Sequence, residues 1–263
     1  MKNKLTPKEI RLMETVKNEW IEKLYNCELR TDRKKATKAI NWLYKLSGFE
    51  KPLIIFLFSP FGAQYGANIM RNKGNQINKQ IENQVEKQVE SQVLYQVNNQ
   101  VEKQVFNQVF NQVWNHVRIQ TEKKIESQVQ SQILNQKVGN KVWNQVGSHV
   151  GNHVGSHVKN QKLKSFSFCS YGSIIDYGWV SFYEYFKKIG IKIKPEILEK
   201  FNNFVFLLNS GIYDMIQFEK ICIVSDMPTF ISIDDRGRLH NAKGSAIKFA
   251  DGYEINFMRG VAL

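Results

Sequence analysis

The sequence from residue 84 to residue 117 reads QVEKQVESQVLYQVNNQVEKQVFNQVFNQVWNHV, and this stretch decides how the chain is organised. A valine recurs at every fourth position, and the residue before it is almost always glutamine. The same series runs from Ile77 to Val158, with Thr121 in place of an aliphatic residue and one residue inserted after Ile133. Self-similarity at a fixed period is the signature of a repeat architecture.

A period of four fits no regular element without adjustment. An α-helix has 3.6 residues per turn, so each unit overshoots a turn by roughly 40°. In a strand, every fourth residue points to the same face, as in a β-solenoid. The units before Val138 lack glycine and proline and favour a helix, whereas units such as Val146–Val150 contain glycine. We predict a helix for the first stretch and keep a β-solenoid as the alternative.

The array, residues 75–161, separates two flanks with globular patterns. In residues 1–74, Thr6-Pro7-Lys8-Glu9 predicts a helix start, and Asp32 is placed to cap a second helix. The apolar run Leu53–Phe58 predicts a strand buried on both faces. We expect a loop after it, containing Gly62 and Gly66, where α/β proteins often bind ligands.

Residues 162–263 combine helix and strand signals. Asp176 and Pro195 are each placed to begin a helix, and later glycines punctuate a β-meander with a two-residue Asp251-Gly252 turn. We therefore predict an α+β fold. In it, the N-terminal helices pack with the C-terminal helices and meander as one body, and the array projects from that body.

Composition indicates a soluble, cytoplasmic protein. The longest apolar run has six residues, far short of the roughly 20 needed to cross a bilayer, and the N-terminus lacks a signal-peptide pattern. We therefore expect no membrane partner. The three cysteines, Cys27, Cys169 and Cys222, have unrelated spacings and predict neither a disulfide framework nor a four-ligand zinc site.

The net charge of +13 raises the question of an anionic partner. The excess is densest near the N-terminus, where the candidate nucleic-acid-binding residues are Arg30, Arg33, Lys34, Lys35 and Lys38. Lysine makes up 29 of the 37 basic residues, and lysine lacks the bidentate fork with which arginine grips phosphate. We therefore prefer a solvated basic surface as the explanation of the charge and keep an anionic partner as the alternative.

Several motifs together carry a family resemblance. They are Trp20, Asp32–Ala36, Tyr44, Ser59-Pro60, the Gln-Val units, Trp179–Tyr183, Gly237–Asn241, Asp251–Tyr253 and Gly260-Val261. With them the chain resembles an uncharacterised bacterial family, a domain of unknown function with variable-length arrays of Asp-Gln-Val-Trp-like tetrads. The chain differs from that pattern at Ser245, where proline is usual, and in having Asn or Lys where the tetrads usually have Asp. The resemblance implies a shared architecture and no particular activity.

Three histidines of the array, His149, His153 and His157, recur at a spacing of four. On a helix they would share one side and could bind a metal ion. Each, however, occupies the slot that glutamine holds in other units, and no acidic residue or cysteine lies near. We therefore treat the three as weak metal-site candidates and predict no cofactor.

His240 is the histidine outside the array, and Asp226, Asp234 and Asp251 are within reach of it in a plausible meander. A histidine–carboxylate pair could perform general acid–base chemistry, with Cys222 as a nucleophile. The alternative is structural, because Cys222 lies in an apolar strand and His240 could support a turn. These residues are candidate catalytic residues of a hydrolase-like enzyme.

The leading interpretation is a non-enzymatic interaction or scaffold protein whose repeats bind a macromolecular partner, either another protein or a second copy of the chain. A nucleic-acid-associated protein and the hydrolase-like enzyme are the alternatives. The aromatic residues Phe106, Phe110 and Trp114 follow their valines at the same pitch and predict a wider apolar stripe rather than a base-stacking platform.

Overall fold

The first two helices begin at the caps that the sequence predicts. In the computed structural model, which describes residues 2–27, 30–72, 79–124 and 171–263, α1 spans Pro7–Tyr25 and α2 spans Arg33–Leu46. The Glu9 N–H donates to Thr6 Oγ1 and the Thr6 N–H donates to the Glu9 carboxylate, which completes a capping box. Asp32 Oδ1 accepts from the Lys35 N–H at 3.1 Å and caps α2.

A strand and a third helix follow, β1 (Leu53–Leu57) and α3 (Pro60–Asn72). The predicted loop after β1 is therefore wrong: Ser59 Oγ accepts from the Gly62 N–H at 3.0 Å and starts a helix, with Pro60 as its first residue. Gly66 lies inside this helix, at a position where a larger residue would crowd the strand. A Cβ there would lie 3.3 Å from Leu57 Cδ1, so glycine lets α3 pack closely on the strand.

The array is helical over residues 79–124, as predicted for its first stretch, but it is interrupted at three places. Its α-helical parts are α4 (Lys79–Val89), α5 (Tyr95–Glu102) and α6 (Asn107–Val113). Glu90–Leu94 and Trp114–Arg118 are π-helical turns. Between α5 and α6 the helix breaks, and Lys2 forms a β-bridge with Val105 there.

These interruptions solve the problem of the four-residue period. A π turn holds one residue more than an α turn, so it turns the following helix back by roughly 100°. A drift of roughly 40° per unit calls for such a correction about every ten residues. The two π turns are centred on residues 92 and 116, and the break lies midway between them. The valines from Val85 to Val117 consequently all stay buried, at 2% exposure or less.

From residue 171, the described part of the C-terminal flank contains a 3₁₀ turn (Ile174–Asp176), α7 (Tyr177–Lys188) and α8 (Pro195–Leu208). Gly190 and Gly211, both at positive φ, lie just beyond the two helices. The strands β2 (Ile212–Gln217) and β3 (Ile221–Asp226) then join β1 in a three-stranded sheet of order β1-β3-β2. β1 runs parallel to β3 and β2 runs antiparallel to it.

Because β1 comes from one flank and β3 from the other, the two flanks share one sheet. The predicted α+β body built from both ends of the chain is confirmed. The prediction that β1 is buried on both faces is wrong, since this strand lies at the sheet edge and its side chains are partly exposed. The fully buried strand is β2, on the opposite edge.

The predicted meander consists of short strands. They form the antiparallel set β4 (Phe230–Ile231), β5 (Ile247–Lys248) and β6 (Glu254–Ile255), and the hairpin of β7 (Phe257–Met258) and β8 (Val261–Ala262). The predicted turn is one residue longer than expected, because the Phe249 N–H donates to the Tyr253 carbonyl across three residues. Buried and exposed residues alternate from Tyr253 to Phe257, as the sequence predicts.

One hydrophobic core joins α1, α2, the array and the C-terminal flank, and a smaller cluster lies between α3 and the sheet. Over residues 84–124 the array therefore does not project from the body, because its valines are part of that core. The boundaries predicted at residues 75 and 161 lie outside the described residues.

Candidate functional site

The array places each of the four positions of its unit in a different environment. We number each unit from its buried residue, so that Val97 is position 1, Asn98 position 2, Asn99 position 3 and Gln100 position 4. Position 1 belongs to the core throughout residues 85–121. Thr121 keeps the series in phase, because it is fully buried in the valine slot and its hydroxyl donates to the Val117 carbonyl at 2.8 Å.

Position 2 packs against the C-terminal flank. The Tyr171 hydroxyl donates to the Glu90 carboxylate at 3.2 Å, and the Tyr183 hydroxyl donates to Asn98 Oδ1 at 2.6 Å. Further along, the rings of Phe110 and Phe182 meet edge to face, with centroids 4.9 Å apart. The predicted widening of the apolar stripe is confirmed at Phe110 and at Trp114, whose ring contacts Phe182, but it is wrong for Phe106, which is 44% exposed.

Position 4, the glutamine, ties the array to neighbouring backbone and side chains. Gln84 Nε2 donates to the Ser47 carbonyl at 3.0 Å, where α2 ends. The Gln104 amide both donates to the Lys192 carbonyl and accepts from the Lys192 N–H. Gln92 accepts from Lys200 Nζ at 3.0 Å. These three glutamines therefore have a structural use, whereas Gln108, Gln112 and Gln120 are exposed.

Position 3 is exposed in every complete unit from residue 87 to residue 115. We call this line of side chains the ridge: Lys87, Ser91, Tyr95, Asn99, Lys103, Asn107, Asn111 and Asn115. Successive ridge residues are four apart, which corresponds to roughly 6 Å along a helix. Within the described parts of the chain, no ridge side chain has a hydrogen bond or ion pair. Among the residues described, position 3 is the one that is exposed in each of these eight units.

His240 supports a turn. Its Nδ1 accepts from the Arg259 N–H at 3.1 Å. Arg259 and Gly260 both have positive φ, at 51° and 85°, and form the turn between β7 and β8. Among the described residues, no carboxylate forms an ion pair with His240.

The aspartates near His240 in the sequence each have another partner. Asp226 lies 4.0 Å from Arg33, and Asp251 accepts from the Ser59 hydroxyl at 2.5 Å. The Asp234 carboxylate pairs with the Arg238 guanidinium, and this contact lowers the pKa of Asp234 to about 2. The structure thus shows no contact that gathers His240, Asp226 and Asp251 into one site.

The basic candidates lie together and exposed. Arg33, Lys34, Lys35 and Lys38 occupy the first turns of α2, and Arg30 precedes its cap. Lys35 pairs with Asp32 at 3.2 Å, and Lys38 lies over the Phe206 ring.

The remaining candidates offer no metal or thiol site in the described structure. Cys222 is fully buried, and burial raises the pKa of its thiol to about 12, as expected for an inert core cysteine. His149, His153 and His157 lie outside the described residues. Within those residues, no group of three or more His, Cys, Asp or Glu is placed to hold a metal ion.

Asp176 has a role that the sequence does not reveal. Its carboxylate is fully buried and accepts from the Trp179 indole N–H at 2.6 Å and from the N–H groups of Gly172 and Ser173. Burial raises the pKa of Asp176 to about 7, although these donors lower it. Instead of capping α7, the carboxylate fixes the chain where the C-terminal flank begins.

None of the helices described is both long and apolar enough to span a bilayer. Comparisons of the chain with protein-family models, with curated proteins and with solved structures found no match. The family resemblance of its motifs therefore stays a prediction.

Proposed function

We propose that this protein is a non-enzymatic scaffold that associates with further copies of itself through the ridge. The observation that carries the proposal is the separation of roles within the unit: the valines of position 1 and several side chains of positions 2 and 4 hold the array in the body, and position 3 is exposed along eight consecutive units. A surface repeated at a fixed pitch suits an extended partner with the same pitch.

A second copy of the array meets that requirement. From Asn107 to Asn115 its ridge has the same spacing of roughly 6 Å, so two ridges can run antiparallel about a two-fold axis at Asn111, which places Asn107 opposite Asn115 of the other copy. Side-chain amides both donate and accept hydrogen bonds, so Asn107 can bond Asn115 of the other copy, and the two Asn111 residues can bond each other. Residues 84–124 carry five basic and four acidic side chains, so two copies repel each other little.

The scaffold is favoured over the hydrolase-like enzyme by the contacts of the candidate catalytic residues. His240 bonds backbone at a turn, and Asp226 and Asp251 pair with Arg33 and Ser59. An acid–base site would need a carboxylate within hydrogen-bond reach of the histidine or of a substrate proton.

Sedimentation velocity of the purified full chain over a range of concentrations tests the proposal. We expect association above the monomer mass of 30.7 kDa. In the ridge variant, Asn107→Glu, Asn111→Glu and Asn115→Glu, charges of one sign would face each other across the contact, and we expect ridge association to be lost. Asn202→Glu with Asn256→Glu, at exposed positions outside the array, is the matched control. If the ridge variant associates as strongly as the control, the ridge is not the contact.

A second candidate is binding of an anionic polymer such as nucleic acid, favoured by the shared exposure of Arg30, Arg33, Lys34, Lys35 and Lys38. We expect Lys34→Glu with Lys38→Glu to weaken binding to duplex DNA or RNA and to reduce its salt dependence. Lys45→Glu, exposed in the last turn of the same helix, is the control. Failure of the natural chain to bind either polymer at low salt would exclude this function.

A further inference from the structure

β1 is an apolar strand at the edge of the three-stranded sheet. Within the described residues it pairs on one side only, with β3. Leu53 is 64% exposed, and Phe58, just beyond the strand, is 50% exposed. A sheet edge presents unpaired N–H and C=O groups, and apolar side chains around them make it a template for another strand.

The sequence of β1 itself lacks the residues that usually protect an edge strand. β1 contains no charged residue and no proline, and its pairing with β3 runs without a bulge from Leu53 to Leu57. No charged residue occurs between Lys51 and Arg71. Proteins that keep such an edge free of partners place lysine, proline or a bulge on it.

The ladder to β3 shows which backbone groups are available. The Leu53 N–H donates to the Lys220 carbonyl at 2.8 Å, so the backbone groups of Leu53 face β3. Because these groups alternate in direction along a strand, those of Ile55 and Leu57 also face β3. The N–H and C=O groups of Ile54 and Phe56 point away from the sheet, toward the free edge.

We infer that β1 pairs antiparallel with β1 of a second copy, joining two three-stranded sheets into one of six strands. A two-fold axis perpendicular to the sheet keeps each face continuous. Centred on Ile55, the middle residue of β1, it places Ile54 opposite Phe56 of the other copy and Leu53 opposite Leu57. The pairs of Ile54 with Phe56 then exchange four backbone hydrogen bonds.

A second copy fits this edge better than an unrelated peptide. Every cross-strand pair joins two apolar side chains, and no charged residue lies within the paired strands. Pro52 and Pro60 bound the strand, which limits pairing to a partner of about the same length. A two-fold contact supplies that length from both sides.

This contact is separate from the ridge and goes beyond the proposed function. A chain that has two different two-fold contacts with itself links into extended rows or closes into a tetramer. The two contacts can be removed one at a time, so each is tested independently of the other.

The ridge variant described above isolates the β1 contact. We expect it to sediment as a dimer, and we expect Leu53→Lys added to it to reduce the mass to that of the single chain. Val261→Lys is the matched control, because Val261 is 65% exposed on the β7–β8 hairpin and its replacement should leave the dimer intact. A monomeric ridge variant, or a dimer that survives Leu53→Lys, overturns the inference. If the natural chain is itself only a dimer and Leu53→Lys dissociates it, the ridge proposal fails and the β1 contact stands.

Cross-linking tests the register. The Ile55 residues of the two copies form a non-hydrogen-bonded pair, with Cα atoms about 4.5 Å apart, which a disulfide can span. We expect Ile55→Cys to give a covalent dimer in air with a copper–phenanthroline catalyst, and Val261→Cys to give no more than the natural chain. No increase for Ile55→Cys would reject this register.

Discussion

The array and the C-terminal flank bury polar groups according to different rules. In residues 84–124, the place of a residue within its unit decides its environment, so that Val97 is buried and Asn99 is exposed in the same way as their counterparts in other units. In residues 171–263, each buried polar group has its own partners. Asp176 bonds Trp179, and Gln217 donates to the Tyr171 carbonyl.

The difference separates what a periodic sequence can specify from what it cannot. A repeat specifies which face of an element is buried, and it does so many times over. A single buried carboxylate depends on donors that the chain brings together only once. Substitutions in the array should therefore have effects set by position in the unit, and substitutions in the flank should have effects set by one environment.

The largest expected effect is that of a charge at position 1. Val97 is fully buried, so Val97→Asp would place a carboxylate in the core without a cation. We expect a loss of more than about 4 kcal/mol in the free energy of unfolding, a large part of the stability of an ordinary domain. Urea denaturation followed by circular dichroism measures this loss.

The control comes from the same unit. Asn99→Asp introduces the same side chain two residues away, on the ridge, and should change stability by no more than about 0.5 kcal/mol. Similar losses at the two positions would show that the unit does not determine the environment.

An intermediate, pH-dependent effect is expected at Asp176. Its pKa of about 7 in the folded chain is above the ordinary value of 3.8, so between about pH 4 and pH 7 the folded state binds more protons than the unfolded state. Stability should therefore fall as the pH rises through this window, by up to about 4 kcal/mol at 1.36 kcal/mol per pKa unit. Urea titrations at several pH values give the slope.

Asp176→Asn isolates this contribution. Asparagine does not titrate, so the variant should lose the part of the slope between pH 4 and pH 7 that comes from Asp176. It should also lose about 1–3 kcal/mol at pH 4, because one of the N–H donors is left without an acceptor. Asp234, whose pKa is lowered, contributes its pH dependence below about pH 4 and does not interfere. An unchanged slope in the variant would mean that Asp176 titrates normally.

The smallest effect is expected at Thr121. The Thr121→Val substitution restores the residue type of the slot and removes a hydroxyl that donates to the Val117 carbonyl. Ser181 Oγ lies 3.4 Å from Thr121 Oγ1 and keeps its bond to the Gly178 carbonyl. We expect a change of less than about 1 kcal/mol in thermal denaturation. A loss of stability above about 2 kcal/mol would mean that the Thr121 hydroxyl makes a stabilising contact in the core that valine cannot replace.

Local signals explain which parts of the fold the sequence predicts. The caps at Thr6 and Asp32 and the alternation from Tyr253 to Phe257 depend on neighbours in sequence, and the structure confirms them. The edge position of β1 depends on strands more than 150 residues away, and its apolar run resembles that of a central strand. The Gly62–Gly66 segment looked like a loop because the helical use of glycine depends on the sheet beneath it.

The candidate sites show the same division. The ridge follows from the period once the array is known to be helical, but the π turns that keep the valines aligned have no obvious signal in the sequence. The grouping of His240, Asp226 and Asp251 rested on an assumed meander geometry. In the structure, the Asp251 carboxylate accepts from the Ser59 hydroxyl, and the Asp226 carboxylate lies 4.0 Å from Arg33. Both contacting residues belong to the N-terminal flank.

The π turns also affect how such a gene can change length. Replication slippage on a repetitive coding sequence adds or removes whole units of twelve nucleotides, which preserves both the reading frame and the four-residue phase. Each added unit still brings roughly 40° of rotation, and about one unit in three must absorb it by widening a turn. Growth by slippage is therefore easiest where the backbone can take up a wide turn without a new contact.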